Sequence, residues 1–307
     1  MIINRFAEEA LSHEELFAQL RSISIADVKT LIYKVEDILA IEHALVQLRA
    51  AETIVIGDMH GDIAAALAIA KQIVEGGPKL QQVFLGDYVD RGSHQVDVIN
   101  LILLLKATFP DRVTMLRGNH EIPAVNGENG FRDCLERQFG HDDGVILWHL
   151  YNRLFMQLPL AAITWNGIFL VHGGIPEDIQ SIQEIETLPK EFNPENKIAL
   201  DLLWNDPVEK KKPVHFKKGA RGGETKEFGV LALDEFQQRT KIKKIIRAHE
   251  EFNDGFQFFF DDRVLSIFSS RRVVYSPFER QIKPKVVRIS EAGDVSVEGF
   301  EPAAIAT

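Results

Sequence analysis

Three short blocks in the chain each end an apolar run with residues that bind metals. They are Gly57-Asp58-Met59-His60-Gly61, Gly86-Asp87-Tyr88-Val89-Asp90-Arg91-Gly92 and Gly118-Asn119-His120-Glu121. Carboxylate, imidazole and amide make a mixed oxygen and nitrogen donor set. Without thiolates, it suits Mn²⁺, Fe and Zn²⁺ better than Ca²⁺ or a structural zinc site. His172, before Gly173-Gly174, and His249, after Ala248, add two imidazoles in a similar setting. Two divalent ions ~3.5–4 Å apart can clamp a phosphate ester and lower the pKa of a shared water. Such a site needs a bridging carboxylate, a proton donor for the leaving alkoxide and a cation for the phosphoryl charge. Asp87, His120 and Arg91 have the right chemistry for those three tasks.

The elements that must position these residues follow from periodicity. Strand-like stretches at 53–56, 82–85 and 113–117 precede the three blocks, and helical patterns follow. Helices are expected at 63–74, stopped by Gly76-Gly77-Pro78, and at 96–109, stopped by Pro110. Further helices are expected at 131–139, 145–158, 198–204 and 230–239. A hairpin over 161–171 turns at Asn166-Gly167. His172 follows its second strand, and His249 follows a strand at 244–248. Residues 210–223 read as a basic loop, and strands follow at 256–260, 264–268, 286–289 and 295–297. The pattern predicts an α/β fold: a central sandwich of two mixed sheets flanked by helices. Residues 1–50 read as a helical segment packed on the core, with Leu31, Val35, Ile38, Ile41 and Leu45 as its apolar stripe. Residues 51–300 read as one catalytic domain.

The totals bound the function. A chain of 307 residues, 45% of them hydrophobic, can bury a large core. A formal charge of −10 argues against general affinity for nucleic acid or an anionic membrane. The one cysteine, Cys134, cannot form an intramolecular disulfide and suits a reducing, cytoplasmic setting. The N-terminus lacks a basic segment followed by a long apolar core; secretion by another route stays open. The most apolar stretch, 96–105, is too short to span a bilayer.

The order of these blocks resembles the phosphoprotein phosphatases, the serine/threonine phosphatases that include calcineurin. The resemblance extends through Leu158-Pro159-Leu160, His172-Gly173-Gly174, Leu202-Leu203-Trp204-Asn205-Asp206-Pro207 and Arg247-Ala248-His249, from about residue 30 to residue 270. It implies the calcineurin-like metallophosphoesterase fold. It also implies a hydrolase of phosphorylated proteins or peptides, working by direct attack of a hydroxide shared by two metal ions. The resemblance assigns Asp58, His60 and Asp87 to one metal, and Asp87, Asn119, His172 and His249 to the other. His120, oriented by Asp90, would protonate the leaving oxygen. Arg91, Arg221 and Asn119 would hold the phosphate. Manganese is the expected metal, with iron or zinc as alternatives.

Two segments depart from the family pattern. His249-Glu250 stands where the family has His-Gln, so Glu250 either alters metal preference or faces solvent. Ser269-Ser270-Arg271-Arg272-Val273-Val274-Tyr275 replaces the family's Ser-Ala-Pro-Asn-Tyr-Cys loop, which implies altered sensitivity to cyclic-peptide and polyketide toxins. The lysines at 210, 211, 212, 217 and 218 read either as a solvated loop or as a cationic rim near Arg221. Trp148, Trp165 and Trp204 read as packing residues, and Glu121 as a backbone-bonding residue. His13, His43, His94, His141, His149 and His215 read as ordinary core or surface histidines. Two competing functions fit parts of the pattern: a hydrolase of symmetric dinucleoside polyphosphates, and a non-catalytic binding module. The full set of ligand residues argues against the second.

Overall fold

The computed structural model describes residues 12–191, 193, 195–275 and 278–305. The part of the expected N-terminal helical segment before residue 12 lies outside the described residues. Two mixed sheets face each other. The five-stranded sheet runs, edge to edge, Val295–Gly299, Lys285–Ile289, Thr53–Ile56, Gln81–Phe84 and Val113–Met115. Its last three strands are parallel, and Lys285–Ile289 is antiparallel to both of its neighbours. The six-stranded sheet runs Leu45–Gln47, Ala161–Ile163, Ile168–Val171, Lys244–Arg247, Val264–Ile267 and Phe256–Phe259. Within it Ile168–Val171, Lys244–Arg247 and Val264–Ile267 are mutually parallel.

Period-two alternation sorts the side chains into layers. Val55 and Val83 meet Leu170, Ile246 and Leu265 between the sheets. Ile54 and Ile56 point the other way, under the helices Ile25–Leu39, Ile63–Glu75 and Gln95–Thr108. On the far face of the other sheet, Phe169 and Ile245 pack with Leu202, Leu203, Leu233 and Phe236 of the helices Lys197–Trp204 and Val230–Thr240. Each such side chain removed from water contributes about 1.5–3 kcal/mol before conformational entropy is counted. The helix Gln95–Thr108 is buried on almost every face because other helices cover it. Its Lys106 is fully buried, and its ammonium donates to Glu42 Oε1 (2.5 Å), Pro110 O (3.0 Å) and Val113 O (2.8 Å).

The expected helices and strands of the βα units are present, with ends displaced by a few residues. Other parts differ. The N-terminal stripe is Val28, Leu31, Ile32, Val35 and Leu39, because the helix stops at Leu39. Ile41 lies beyond it and is 84% exposed. Leu45 belongs to an edge strand that pairs with Ala161–Ile163, so residues 1–50 are not wholly helical. The basic loop contains the strand Phe216–Lys218, paired with Lys226–Phe228. After Ser270 comes a separate hairpin, Arg272–Tyr275 against Phe278–Gln281. Its arms, Arg-Val-Val-Tyr and Phe-Glu-Arg-Gln, show no strict apolar–polar alternation to announce it.

The topology gathers the chemistry at one edge. Thr53–Ile56, Gln81–Phe84 and Val113–Met115 all end toward the three ligand loops, and Ile168–Val171 and Lys244–Arg247 end at His172 and His249. A parallel bridge between Asp58 and Phe268 joins the corresponding ends of the two sheets.

Candidate active site

The loops that leave these strands are tightly cross-tied. The backbone N–H groups of Met59 and His60 both donate to Asp87 O (3.0 and 2.9 Å), and Ala248 N donates to His172 O (3.0 Å). Glu121 is a buried fastener. Its Oε2 accepts from Asp87 N (2.8 Å) and Gly118 N (3.0 Å), and its Oε1 from Tyr88 N (3.0 Å). Three backbone donors satisfy a carboxylate that would otherwise be costly to bury. The approach is so close that a Cβ on Gly118 would stand 2.1 Å from Asp87 Oδ1. Five of the nine non-glycine residues with positive φ among the described residues are His60, Asp87, Asp90, Arg91 and His249. Each costs backbone strain of order ~1–3 kcal/mol, which only a well-packed surround can hold.

The side chains converge. His60 Nε2 lies 3.4 Å from Asp87 Oδ2 and 3.8 Å from Asp58 Oδ2. His172 Nε2 lies 2.9 Å from Asn119 Oδ1, 3.1 Å from His249 Nδ1 and 3.5 Å from Asp87 Oδ1. Asp58 Oδ1 accepts from His249 N at 2.9 Å, tying the first loop to the last. Two groups of donor atoms result: His60, Asp87 and His120, and Asp87, His172 and His249. Asp87 belongs to both.

These residues fit metal ions. His60 Nδ1 contacts Val89 O (2.8 Å) and His172 Nδ1 contacts Leu85 O (3.1 Å). A proton on each Nδ1 leaves the Nε2 lone pairs facing carboxylate and amide oxygens. With the carboxylates ionised, acceptors face acceptors there, an arrangement that a cation between them would relieve. Electrostatics agrees. Burial, then the charges of Asp58 and Glu121, pushes the Asp87 carboxyl well above its usual range. Burial pushes Asp58 up to about 7 and holds His60, His172 and His249 well below the usual imidazole value.

His120, in the first group where Asp58 was expected, is also paired with a second carboxylate. His120 Nδ1 is 2.6 Å from Asp90 Oδ2, and both side chains are buried. Burial, with Arg91 and Arg221 adding to it, lowers His120 to about 3, while burial raises Asp90 to about 7. Asp90 Oδ1 accepts from Phe131 N (3.1 Å), which fixes the carboxylate. His120 Nε2 faces the pocket, 3.5 Å from Arg91 Nη2. Arg91 Nε is buried without a partner among the described residues.

The pocket holds about 170 Å³ and brings together Asp58, His60, Asp87, Arg91, Asn119, His120, Arg221 and His249. Sequence reasoning named all of these, and His172 lies behind them. It missed Val125, Asn129, Glu251 and Phe268, which also line the pocket, while Val273 belongs to the loop singled out as departing from the family. Tyr275 stacks over the Arg91 guanidinium at 4.6 Å, and its hydroxyl donates to Glu251 Oε1 at 3.0 Å. Trp204 lines the pocket too and meets the His249 ring edge-on at 5.7 Å, so it is more than a packing residue. Glu250 neither enters the metal cluster nor faces solvent freely. It pairs with the buried Arg247 (2.9 Å), which also holds Asp206 (2.7 Å), and Asp206 accepts from Arg221 Nε (2.6 Å). The lysine loop does not line the pocket. Lys210 and Lys212 line a separate cavity with Glu209 and Phe260, and Lys217 pairs with Glu227.

The calcineurin-like phosphoesterase family matches residues 52–250, which include every candidate ligand. The chain belongs to this family. Serine/threonine-protein phosphatase BSL2 of Arabidopsis thaliana is 36% identical over 254 residues, covering 80% of this phosphoesterase and 25% of that protein. This chain therefore spans about a quarter of the length of that relative. Serine/threonine-protein phosphatase PP2A-like PPG1 of Saccharomyces cerevisiae is 34% identical over 260 residues, 81% of this chain and 69% of that protein. A Saccharomyces cerevisiae protein serine/threonine phosphatase, described as similar to human phosphatase PP5, superposes with a TM-score of 0.79 at 25% identity, covering 93% of this chain and 91% of that one. A cold-active protein-tyrosine phosphatase of a Shewanella species shares the fold, with a TM-score of 0.55 at 15% identity over 85% of this chain and 84% of that one. Among the described residues no helix is long and apolar enough to cross a membrane.

Proposed function

We propose that this phosphoesterase is a serine/threonine protein phosphatase acting on phosphorylated proteins or peptides. One observation carries the reading: Asp87 is shared by two donor groups, one of which includes His120, and His120 is paired with Asp90 and lies beside Arg91 in the same pocket. The serine/threonine phosphatases among its relatives favour this over a dinucleoside polyphosphate hydrolase.

Asp58, His60 and Asp87 would hold one metal ion, and Asp87, Asn119, His172 and His249 the other. The ions would supply a water acidic enough to attack phosphorus at neutral pH, and positive charge for the phosphoryl oxygens. Arg91 and Arg221 are the phosphate fork. Asp206 and His249 O hold Arg221 in place (2.6 and 3.0 Å), and the Tyr275 ring covers Arg91. Asn119 would contribute to both the metal and the phosphate. His120 would carry a proton on Nε2 to the leaving serine or threonine oxygen, and the ionised Asp90 would stabilise the imidazolium and fix its ring. The thiolate-free donor set makes manganese the first metal to test, then iron and zinc. A cytoplasmic location is the matching expectation for a chain with a single, buried cysteine.

The deciding experiment is a panel of phosphoserine, phosphothreonine and phosphotyrosine peptides with a dinucleoside tetraphosphate, each with varied metals. Phosphoserine or phosphothreonine peptides should be the best substrates. Turnover confined to the nucleotide would reverse the reading.

A further inference from the structure

We propose that the cavity behind the paired strands Arg272–Tyr275 and Phe278–Gln281 binds an acidic side chain of the same phosphopeptide whose phosphate lies at Arg91. The proposal rests on the protein-phosphatase reading above.

The hairpin is a partition. Its arms pair antiparallel, Arg272 with Gln281 through Tyr275 with Phe278. Alternate side chains of a strand point to opposite faces. Val273 and Tyr275 line the catalytic pocket, while Arg272 and Val274 line a second cavity of about 430 Å³ on the other side. Arg91 and Asn129 line both, so a chain bound at Arg91 meets the second cavity immediately. The base of the partition is clamped. Arg271 donates from its backbone N (2.8 Å), Nε and Nη2 (2.8 Å) to the buried carboxylate of Asp62, two residues after His60.

The charges of that cavity select its occupant. Arg137 and Arg272 face it beside Arg91, opposed by Asp133 and Glu279. Glu279 is already engaged: its Oε1 accepts from Gln281 Nε2 (2.9 Å) and lies 3.5 Å from Arg272 Nη1. Arg137 has no ion pair among the described residues, and its Nη2 donates to the Cys134 sulfur at 2.9 Å, a weak acceptor. Two guanidinium groups thus keep donors for an incoming carboxylate, and Asp133 opposes anything more highly charged. The lysine loop, turned toward another cavity, supplies no such surface at the pocket.

The test uses one phosphothreonine peptide with Glu, Ala or Lys at the flanking positions on either side. Wild type, Arg137→Glu, Arg272→Glu and the double variant are compared, with para-nitrophenyl phosphate as the substrate that lacks a flank. Each partly exposed ion pair is worth up to about a fivefold effect. Wild type should therefore favour Glu-flanked over Lys-flanked peptide by roughly tenfold in kcat/KM. The double variant should reverse that order, mainly through KM, and keep aryl phosphate turnover within about twofold. An unchanged flank preference in the double variant, or equal losses on peptide and aryl phosphate, overturns the proposal alone. Hydrolysis of aryl phosphate with no phosphopeptide turned over overturns the protein-phosphatase reading and this proposal with it.

Discussion

Replacing Asp90 by Asn should separate proton donation from phosphate binding. The change keeps the size of the side chain and lets its oxygen still accept from Phe131 N, at 3.1 Å in the native protein. It removes the charge that sits 2.6 Å from His120 Nδ1, where solvent screening is small because both side chains are buried. A hydrogen bond to a charged group contributes about 1.5–3 kcal/mol. Lost in the transition state alone, that is a fall of roughly 10- to 150-fold in kcat. The amide nitrogen would also face Nδ1 and favour the wrong tautomer, a change that costs about 10⁴-fold in the serine-protease triad. We therefore expect at least a tenfold loss on a phosphoserine peptide.

The leaving group decides whether the loss is of the expected kind. A serine alkoxide needs a proton as the bond to phosphorus breaks, whereas para-nitrophenolate leaves readily without one. The Asn variant should therefore hydrolyse the aryl ester within about threefold of wild type. The alkaline limb of its peptide pH profile should move down, because the imidazolium has lost its partner. Folding gives an independent control. Burial raises the Asp90 carboxyl to about 7, so its ionised form costs stability at neutral pH, and the variant should melt no lower than wild type. Equal losses on the peptide and the aryl ester would refute the assignment of His120 as the donor and Asp90 as its orienter.

Further predictions concern the metal centre, its electrostatics and its rim. Asp87→Asn should lower metal affinity and peptide turnover by more than about a hundredfold, since even an outer-shell partner is worth 10–100-fold; wild-type turnover with Mn²⁺ would remove Asp87 as the shared ligand. In the metal-free protein, burial raises Asp58, Asp87, Asp90 and Glu121 and lowers His60, His120, His172 and His249. Below about pH 6.5 the two sets oppose each other, because the acids lose stability with rising pH and the histidines gain it. Above that, the histidines are neutral whether folded or unfolded, and the folded chain binds more protons only at the acids. Metal-free stability should then fall between about pH 6.5 and 8, by up to ~1.4 kcal/mol per pH unit for each titrating acid. Thermal melts with and without chelator check this, and a metal-free melt that rises over that range contradicts it. Cyclic-peptide and polyketide toxins should inhibit weakly, because an Arg271-anchored hairpin stands in place of the family loop; inhibition at the concentrations typical of sensitive relatives would show otherwise. Replacing Lys210, Lys211 and Lys212 by Ala should leave peptide KM unchanged in a steady-state assay, since Lys210 and Lys212 line another cavity.

The part of the site that is legible in the sequence is the part built by local rules. A parallel strand buried on both faces reads as a short apolar run, and the residues just after it lie at the sheet's C-terminal edge. Asp58, Asp87, Asn119, His172 and His249 all occupy such positions, so type and order sufficed to bring them together. Glu121 was legible as a backbone partner, but only its bond to Gly118 N lies in its own loop; those to Asp87 N and Tyr88 N cross to the loop before it. The rest depends on pairings across long stretches of chain. Arg271 reaches Asp62, and Asp58 holds His249 N, each about two hundred residues away in sequence. Nothing in the spacing around position 272 announces a hairpin, because its arms are four residues each and lack a strict apolar–polar alternation. The carboxylates after His249 were a visible signal, but only the fold shows that Glu250 serves Arg247 and Glu251 serves Tyr275.

The two classes of residue do different work, and the strain shows how. His60, Asp87, Asp90, Arg91 and His249 all adopt left-handed backbone, and most carry a perturbed ionisation as well. Such positions persist only where the surround over-determines them. Here the surround is the long-range set: Glu121 on three backbone N–H groups, Arg247 on Glu250 and Asp206, Arg271 on Asp62. Those ties leave the donor atoms little room to relax away from one another in the metal-free protein. The donor atoms of His60, Asp87 and His172 are therefore held together before any ion arrives, which is preorganisation for a cation rather than a consequence of one. Loosening a tie such as Arg271→Ala should thus weaken metal binding without touching a ligand. If metal affinity in that variant, measured by competition with a chelator, stayed at the wild-type value, the donors would hold their geometry by local rules alone.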